Sequence, residues 1–228
     1  MIGIIGAMDK ELAYLFDVMK QNEVIDIADK RFFVGEIFDK KVVLVKSGVG
    51  KVNAAITTTL LLKTFSIDYV MNIGVAGGLI PAKEGNIILA EAVSYFDVSL
   101  IEIDHLPFGK IGDEPLQIFT DSNLRKKAIT VFDKLKIPYL IGNIVSGDQF
   151  VVSTRVLLPI LNEIDNVLAC EMEGMAIGMT CYKFNTPFLS IRGISDVIDD
   201  PIQTKIYKDI VTDVAKKTTD FAIAFLEA

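Results

Sequence analysis

Three places in this sequence put acids where a reaction can use them. Glu11 follows a short apolar run at residues 2–5 and the turn at Gly6. Glu171-Met172-Glu173 follows the brief apolar run 168–170. Asp196 follows the apolar run 188–194, with Arg192 four residues before it. Carboxylates can divide general-acid and general-base work when their surroundings push their pKa values apart. Each acid also has an ordinary reading: Glu11, Glu171 and Glu173 as first-turn helix residues favoured by the macrodipole, Asp196 as a cap or turn residue. Jointly they place acids at three separate strand exits, a stronger argument than any one alone. His105 is the only histidine and lies in a loop-like stretch before Leu106-Pro107, where it reads as a surface residue. Histidine triads and multi-histidine metal sites are therefore disfavoured, and acid–base work falls to carboxylates.

The elements that must position these acids follow from apolar periodicity. Strands are expected at residues 2–5, 32–38, 41–46, 69–73, 86–90, 93–96, 139–145, 168–170 and 188–194. Helices are expected at 9–20, 51–65, 121–135 with Asp121 or Ser122 as cap, 156–163, 171–184 and 206–227. Residues 102–116, with Pro107, Gly109, Gly112 and Pro115, read as a loop. This alternation predicts one α/β domain over residues 1–228, a three-layer α/β/α arrangement around a mainly parallel or mixed sheet. In such folds ligands gather at the carboxyl ends of strands. Four of those exits carry glycine: Gly6, Gly48 with Gly50, Gly74 with Gly77 and Gly78, and Gly147.

Composition removes several functions. The chain has 228 residues, 51% of them apolar, and a formal charge of −7. No basic block is present, so nucleic-acid and anionic-membrane binding are disfavoured. No apolar run reaches the ~18 residues of a membrane span, and the apolar N-terminus lacks a basic flank, so a cytoplasmic location is expected. Cys170 and Cys181 suggest neither a disulfide framework nor a zinc site, and Cys170 reads as a small core residue. Ser47-Gly48-Val49-Gly50-Lys51 lacks the upstream glycine and following hydroxyl of a P-loop, and no GxGxxG occurs. No metal or cofactor is expected.

At these motifs the sequence resembles the methylthioadenosine/S-adenosylhomocysteine nucleosidases, within the nucleoside phosphorylase superfamily, essentially end to end. The resemblance is carried by Gly3-Ile4-Ile5-Gly6-Ala7-Met8 with Glu11, Lys46-Ser47-Gly48-Val49-Gly50-Lys51-Val52 and Asn72-Ile73-Gly74-Val75-Ala76-Gly77-Gly78. Val145-Ser146-Gly147-Asp148-Gln149-Phe150, Glu171-Met172-Glu173 and Arg192-Gly193-Ile194-Ser195-Asp196 complete it. The Met-Glu and Ser-Asp pairs are shared with purine phosphorylases; the Gly-Ala-Met segment with its glutamate looks like the hydrolase version.

The resemblance implies a nucleoside phosphorylase-like fold and hydrolysis of 5′-thio-substituted adenine nucleosides, with water as the second reactant. It implies Glu11 as general base with Arg192 nearby, and Asp196, oriented by Ser195, as proton donor at purine N7. Glu173 would hold the ribose hydroxyls, assisted by the Met172 backbone beside Glu171. Phe150 would stack on adenine and the Val151 backbone would read its edge. Met8, Val49 and the turn at Val75 and Gly77 would line the pocket, closed by Ile206 or Tyr207. Family members often carry serine where this chain has Val75, which removes a polar contact there but leaves the backbone of the turn. The resemblance also implies a homodimer in which a loop near residues 101–108 meets the partner's active site. A phosphorylase on the same fold, a non-catalytic nucleoside binder and a hydrolase of other modified nucleosides are the competing readings.

Overall fold

The computed structural model describes residues 1–228, except the side chain of Asp209. In chain order the elements are β1 (Ile2–Gly6), α1 (Asp9–Val18), β2 (Lys20–Ile27), β3 (Lys30–Ile37), β4 (Lys40–Lys46), α2 (Lys51–Thr64), β5 (Tyr69–Gly78) and β6 (Ile87–Tyr95). There follow α3 (Ile101–Asp104), β7 (Ile118–Phe119), α4 (Ser122–Leu135), β8 (Tyr139–Ser146), α5 (Leu158–Leu161), β9 (Val167–Glu171), α6 (Gly174–Lys183), β10 (Phe188–Val197) and α7 (Gln203–Glu227).

Side chains alternate across a strand, so a strand buried on both faces reads as a continuous apolar run. In β1, Ile2 and Ile4 join Val42, Leu44, Met71 and Ile73 on one face. Leu12 and Leu15 of α1, Phe132 of α4 and Phe221 and Phe225 of α7 cover that face. Ile5, Val43, Val45 and Val70 point the other way, onto Ala54 and Leu61 of α2 and Met175 and Ile177 of α6. Two helical layers therefore sandwich one mixed sheet, as the alternation of runs and helices predicts.

The sheet has two parts. An open wing runs β2-β3-β4-β1-β5. Beyond it β5, β10, β6, β8 and β9 pair in turn, and β9 returns to pair with β5 through Gly77↔Cys170 and Gly78↔Ala169, closing a ring of five strands. β1 lies parallel to both β4 and β5, and β5 parallel to β10. Their carboxyl ends consequently open on the same edge, beside the end of β9.

Several boundaries differ from the sequence reading. α1 stops at Val18, and Lys20 instead opens β2, a strand the apolar pattern does not announce because it is mostly exposed and polar. The two segments at 86–90 and 93–96 form one strand, β6, with a register shift between Ala90 and Val93. The stretch 102–116 includes the single turn α3, and 156–163 divides into a 3₁₀ turn at Thr154–Val156 and α5. Glu171 ends β9 rather than opening a helix, and α6 starts at Gly174. β5 continues through its glycines to Gly78. β10 continues through Asp196, past a bulge between Ile194 and Asp196 that re-aims the strand's last side chains. α7 begins at Gln203, three residues before the expected start.

Candidate active site

Glu11 is fixed by the chemistry of a helix start. It is the third residue of α1 and reaches back so that its Oε2 accepts from the backbone N–H of Met8, 2.9 Å away, and of Ala7, 2.7 Å away. Such a return from the third position satisfies donors that a helix start leaves free. The ordinary reading of Glu11 as a first-turn acid is thus correct as far as it goes. Its second oxygen leaves the helix and accepts from the Val75 N–H on β5, at 3.1 Å. Valine at this position lacks a hydroxyl, yet its backbone still holds the carboxylate. Gly74 permits this approach: a Cβ there would lie 2.5 Å from Glu11 Oε1 and overlap the Arg192 guanidinium. Burial pushes the Glu11 carboxyl above its ordinary value; Arg192 and the three backbone donors oppose that rise.

Arg192, on β10, has no solvent exposure and stands one layer behind the cleft wall rather than in it. Its Nη2 donates to Asn72 Oδ1 at 2.7 Å and to Glu171 Oε2, and lies 3.8 Å from Glu173 Oε2. A buried guanidinium is tolerable only when so paired. Glu171 is the other half of this node. Its oxygens accept from Ser146 Oγ, Arg192 and the backbone N–H groups of Glu173 and Gly174. It therefore caps α6 and borders the cleft with both oxygens already engaged by protein donors. Glu173 is freer: its Oε1 accepts only from the Gly50 N–H, at 2.9 Å. That contact ties the turn before α2 to the turn before α6. Gly50 has φ +95°, a conformation that favours glycine. Burial first, and the neighbouring Glu171 second, push the Glu173 carboxyl up to about 8.

Asp196 is held on both oxygens. Ser195 Oγ lies 2.5 Å from Oδ1, and Gln203 Nε2 donates to Oδ2 at 2.7 Å and to the Val151 carbonyl at 2.9 Å. Burial raises the Asp196 carboxyl above its ordinary value, and the two side-chain donors pull in the opposite direction. Gln203 is a residue that sequence reasoning missed. A glutamine in a polar first turn carries no local mark, and only its partners, seven and fifty-two residues away, give it meaning.

These groups converge on one cleft. Its wall includes Glu11, Glu173 and Asp196, the expected Met8, Val49, Val75, Gly77, Phe150, Val151, Glu171, Met172, Ser195 and Tyr207, and also Ala7, Ala76, Gln149, Cys170 and Ile198. Among the lining residues there is no lysine, arginine or histidine. Of the two closing residues left open by the sequence, Tyr207 lines the cleft and the half-buried Ile206 does not. The Tyr207 ring meets Phe150 edge to face, with centroids 5.4 Å apart, and its hydroxyl lies 4.0 Å from Met8 Sδ. Cys170 is buried as expected, and desolvation drives its thiol well above the ordinary range, so it is inert. His105 is exposed, in the loop after α3.

The model of the phosphorylase superfamily matches residues 1–227. The 5′-methylthioadenosine/S-adenosylhomocysteine nucleosidase of Staphylococcus haemolyticus is 35% identical over 228 residues, covering 100% of this chain and 99% of that one. Among solved structures, the Neisseria meningitidis 5′-methylthioadenosine/S-adenosylhomocysteine nucleosidase in complex with methylthio-immucillin-A superposes with a TM-score of 0.94, at 29% identity over 99% of this chain and 98% of that one. Futalosine hydrolase of Helicobacter pylori superposes with a TM-score of 0.92, at 29% identity over 99% and 97% of the two chains.

The raised Asp196 carboxyl has a consequence for stability. A folded-state pKa above the unfolded value means the native state binds more protons. The stability this group contributes is full below the unfolded pKa and is lost as pH rises through the folded one. Asn at this position keeps the set of hydrogen bonds: its oxygen faces Gln203 Nε2 and its amide faces Ser195 Oγ, which then donates to the Ala76 carbonyl, 3.2 Å away. Asp196→Asn is therefore expected to melt at or above the wild-type temperature at neutral pH, with a flatter dependence of Tm on pH as pH rises from the ordinary aspartate value of about 4 towards neutral. Thermal melts across that range check this; a variant that melts lower at neutral pH and keeps the wild-type slope would refute it.

Proposed function

The chain belongs to the phosphorylase superfamily and, within it, to the 5′-methylthioadenosine/S-adenosylhomocysteine nucleosidases, and on that premise we propose that it hydrolyses the N-glycosidic bond of both nucleosides, and of 5′-deoxyadenosine, releasing adenine and the 5-substituted ribose. One observation carries hydrolysis over phosphorolysis: the cleft contains the carboxylates of Glu11, Glu173 and Asp196 and has no cationic side chain in its wall. A phosphate nucleophile would find no cation in the wall to balance its charge, whereas water needs none and finds a base.

The mechanism follows from where charge develops. As C1′–N9 breaks, its electron pair moves onto the purine and the ribose becomes cationic. Asp196, whose carboxyl burial raises above its ordinary value, gives a proton to N7 of the departing base. Glu11, ionised, takes a proton from water as the water oxygen bonds to C1′. Glu173 accepts hydrogen bonds from the ribose hydroxyls, and its anionic form is increasingly favoured as the ring gains positive charge. The bulge that brings Asp196 to the cleft, and the Gln203 and Ser195 donors that fix it, are what aim the acid. Phe150 stacks on adenine and the Val151 backbone reads its edge. Met8, Val49 and Tyr207 form an apolar, polarisable seat for the 5′ sulfur. Glu171 and Arg192 act on Glu11 and Glu173 from behind, as positioning residues.

The working form is a homodimer. Val49, Val52, Ile103 in α3, and Phe150 and Val152 in the segment after β8 are all large apolar side chains at least 45% exposed. Val49 and Phe150 of this set line the cleft, and exposed apolar side chains beside it support a surface that a second copy covers.

Three outcomes test these readings. Purified protein in phosphate-free buffer is expected to release free adenine from methylthioadenosine, detected chromatographically; formation of ribose-1-phosphate derivatives, or a need for added phosphate, would overturn hydrolysis. Glu11→Gln is expected to lower kcat by at least ~10²-fold if it removes the base. Because burial holds the Glu11 carboxyl above its ordinary value, the rate falls as pH drops through that raised pKa. The acid limb of kcat/KM should thus lie above the usual glutamate range in the wild type and be absent in the variant. Light scattering at assay concentration is expected to give the mass of two chains, and an active monomer would contradict the dimer.

A further inference from the structure

The chain segments that carry Met8 and Val49 also carry lysines whose partners differ. Lys46 Nζ pairs with Asp9 at 2.9 Å. Lys51 Nζ pairs with Asp97 at 2.6 Å. Lys10, in the first turn of α1 two residues after Met8, has no hydrogen bond or ion pair among the described residues; its Nζ instead lies over the Tyr207 ring, 5.4 Å from the centroid. Tyr207 and Met8 both line the cleft and meet each other, at the seat of the 5′ substituent in the reading given above. An aromatic face attracts a cation and gives a flexible lysine a preferred place without neutralising it. Lys10 is half-buried, so part of its stem is already covered and its head remains free to accept an anion.

We propose that Lys10 is a specificity-determining residue that favours nucleosides whose 5′-thioether chain ends in a carboxylate. The inference rests on the nucleosidase reading and deepens it by naming the tail chemistry. Inside the cleft a carboxylate tail meets the acids Glu11, Glu171, Glu173 and Asp196 and no lysine, arginine or histidine. A short alkylthio group ends against Met8 and Tyr207 and is indifferent to this. A longer chain leaves past the same two side chains, and Lys10, held over the Tyr207 ring, is a cation beside that exit with no carboxylate partner among the described residues. Lys46 and Lys51 are nearby alternatives in sequence but are already committed. Because the site is partly open to water, the preference is modest: exposed pairs of this kind correspond to changes of about two- to fivefold, and they weaken with salt.

The test compares three substrates in wild type, Lys10→Gln, Lys10→Glu and Lys10→Arg: methylthioadenosine, S-adenosylhomocysteine and the decarboxylated analogue 5′-(3-aminopropylthio)adenosine. In Lys10→Gln, kcat/KM for S-adenosylhomocysteine is expected to fall about threefold and in Lys10→Glu further, while methylthioadenosine stays within about twofold and the aminopropyl analogue improves. Lys10→Arg keeps the charge and should keep the preference. Added salt should lower kcat/KM for S-adenosylhomocysteine in wild type and leave it flat in Lys10→Gln, a readout that a merely structural role would not give. Equal changes for all three substrates, or no salt effect specific to the carboxylate-bearing one, overturn the assignment while leaving the nucleosidase intact. Failure of wild type to hydrolyse methylthioadenosine overturns the underlying reading, and the role of Lys10 with it.

Discussion

A guanidinium without solvent exposure sits where β5, β9 and β10 come together, and much of the site is arranged around its charge. Leaving Arg192 unpaired in the interior would be prohibitive, so Asn72 and Glu171 are drawn to it. Glu171, once placed, gathers the N–H groups that start α6 and so fixes where Glu173 emerges. On its other side the same cation lowers the cost of burying Glu11. Gly74 is the geometric condition for all of this, because no side chain fits between the guanidinium and the Glu11 carboxylate. Loss of the cation would leave neighbouring carboxylates facing one another in a low-dielectric interior.

The distribution of charge also explains how one cleft keeps both an acid and a base. Glu11 receives three backbone donors and a nearby cation against strong burial; Asp196 receives two neutral side-chain donors and no close cation. Burial raises both carboxyls, but what opposes the rise differs: a cation and backbone N–H groups at Glu11, neutral side chains at Asp196.

Much of this was legible in the sequence for identifiable reasons. Strands β1, β4, β5 and β10 are buried on both faces and so appear as apolar runs; the acids at their ends stand out because charge follows the run abruptly. The edge strand β2 was illegible because solvent covers it and polar residues suit it. The closure of the ring rests on two backbone pairings between β5 and β9, made by glycines, an alanine and a cysteine that have no side-chain pattern to declare them. Glu171 and Glu173 look equivalent in the chain, two residues apart in one acidic motif. Only the fold separates them, giving one to protein donors and leaving the other to the cleft. Gln203 was invisible because its role is set entirely by distant partners, and Tyr207 could be told from Ile206 only once the start of α7 was known.

The five-strand ring divides the labour of the site. Glu173 follows β9 and Asp196 lies on β10, both members of the ring, whereas Glu11 enters from α1, beside β1 on the open wing. The groups that grip the sugar and discharge the leaving base therefore belong to a closed unit whose strands brace one another. The group that prepares the incoming nucleophile comes from an adjoining part that pairs with the ring along β1 and β5, and its carboxylate meets the ring through one N–H of Val75 and the charge of Arg192. Such an arrangement is only partly modular in the evolutionary sense. A change of the attacking group falls on the wing, but the wing also carries Gly50, Met8 and Val49, so the seat of the sugar is shared between the two parts while Asp196 stays on the ring.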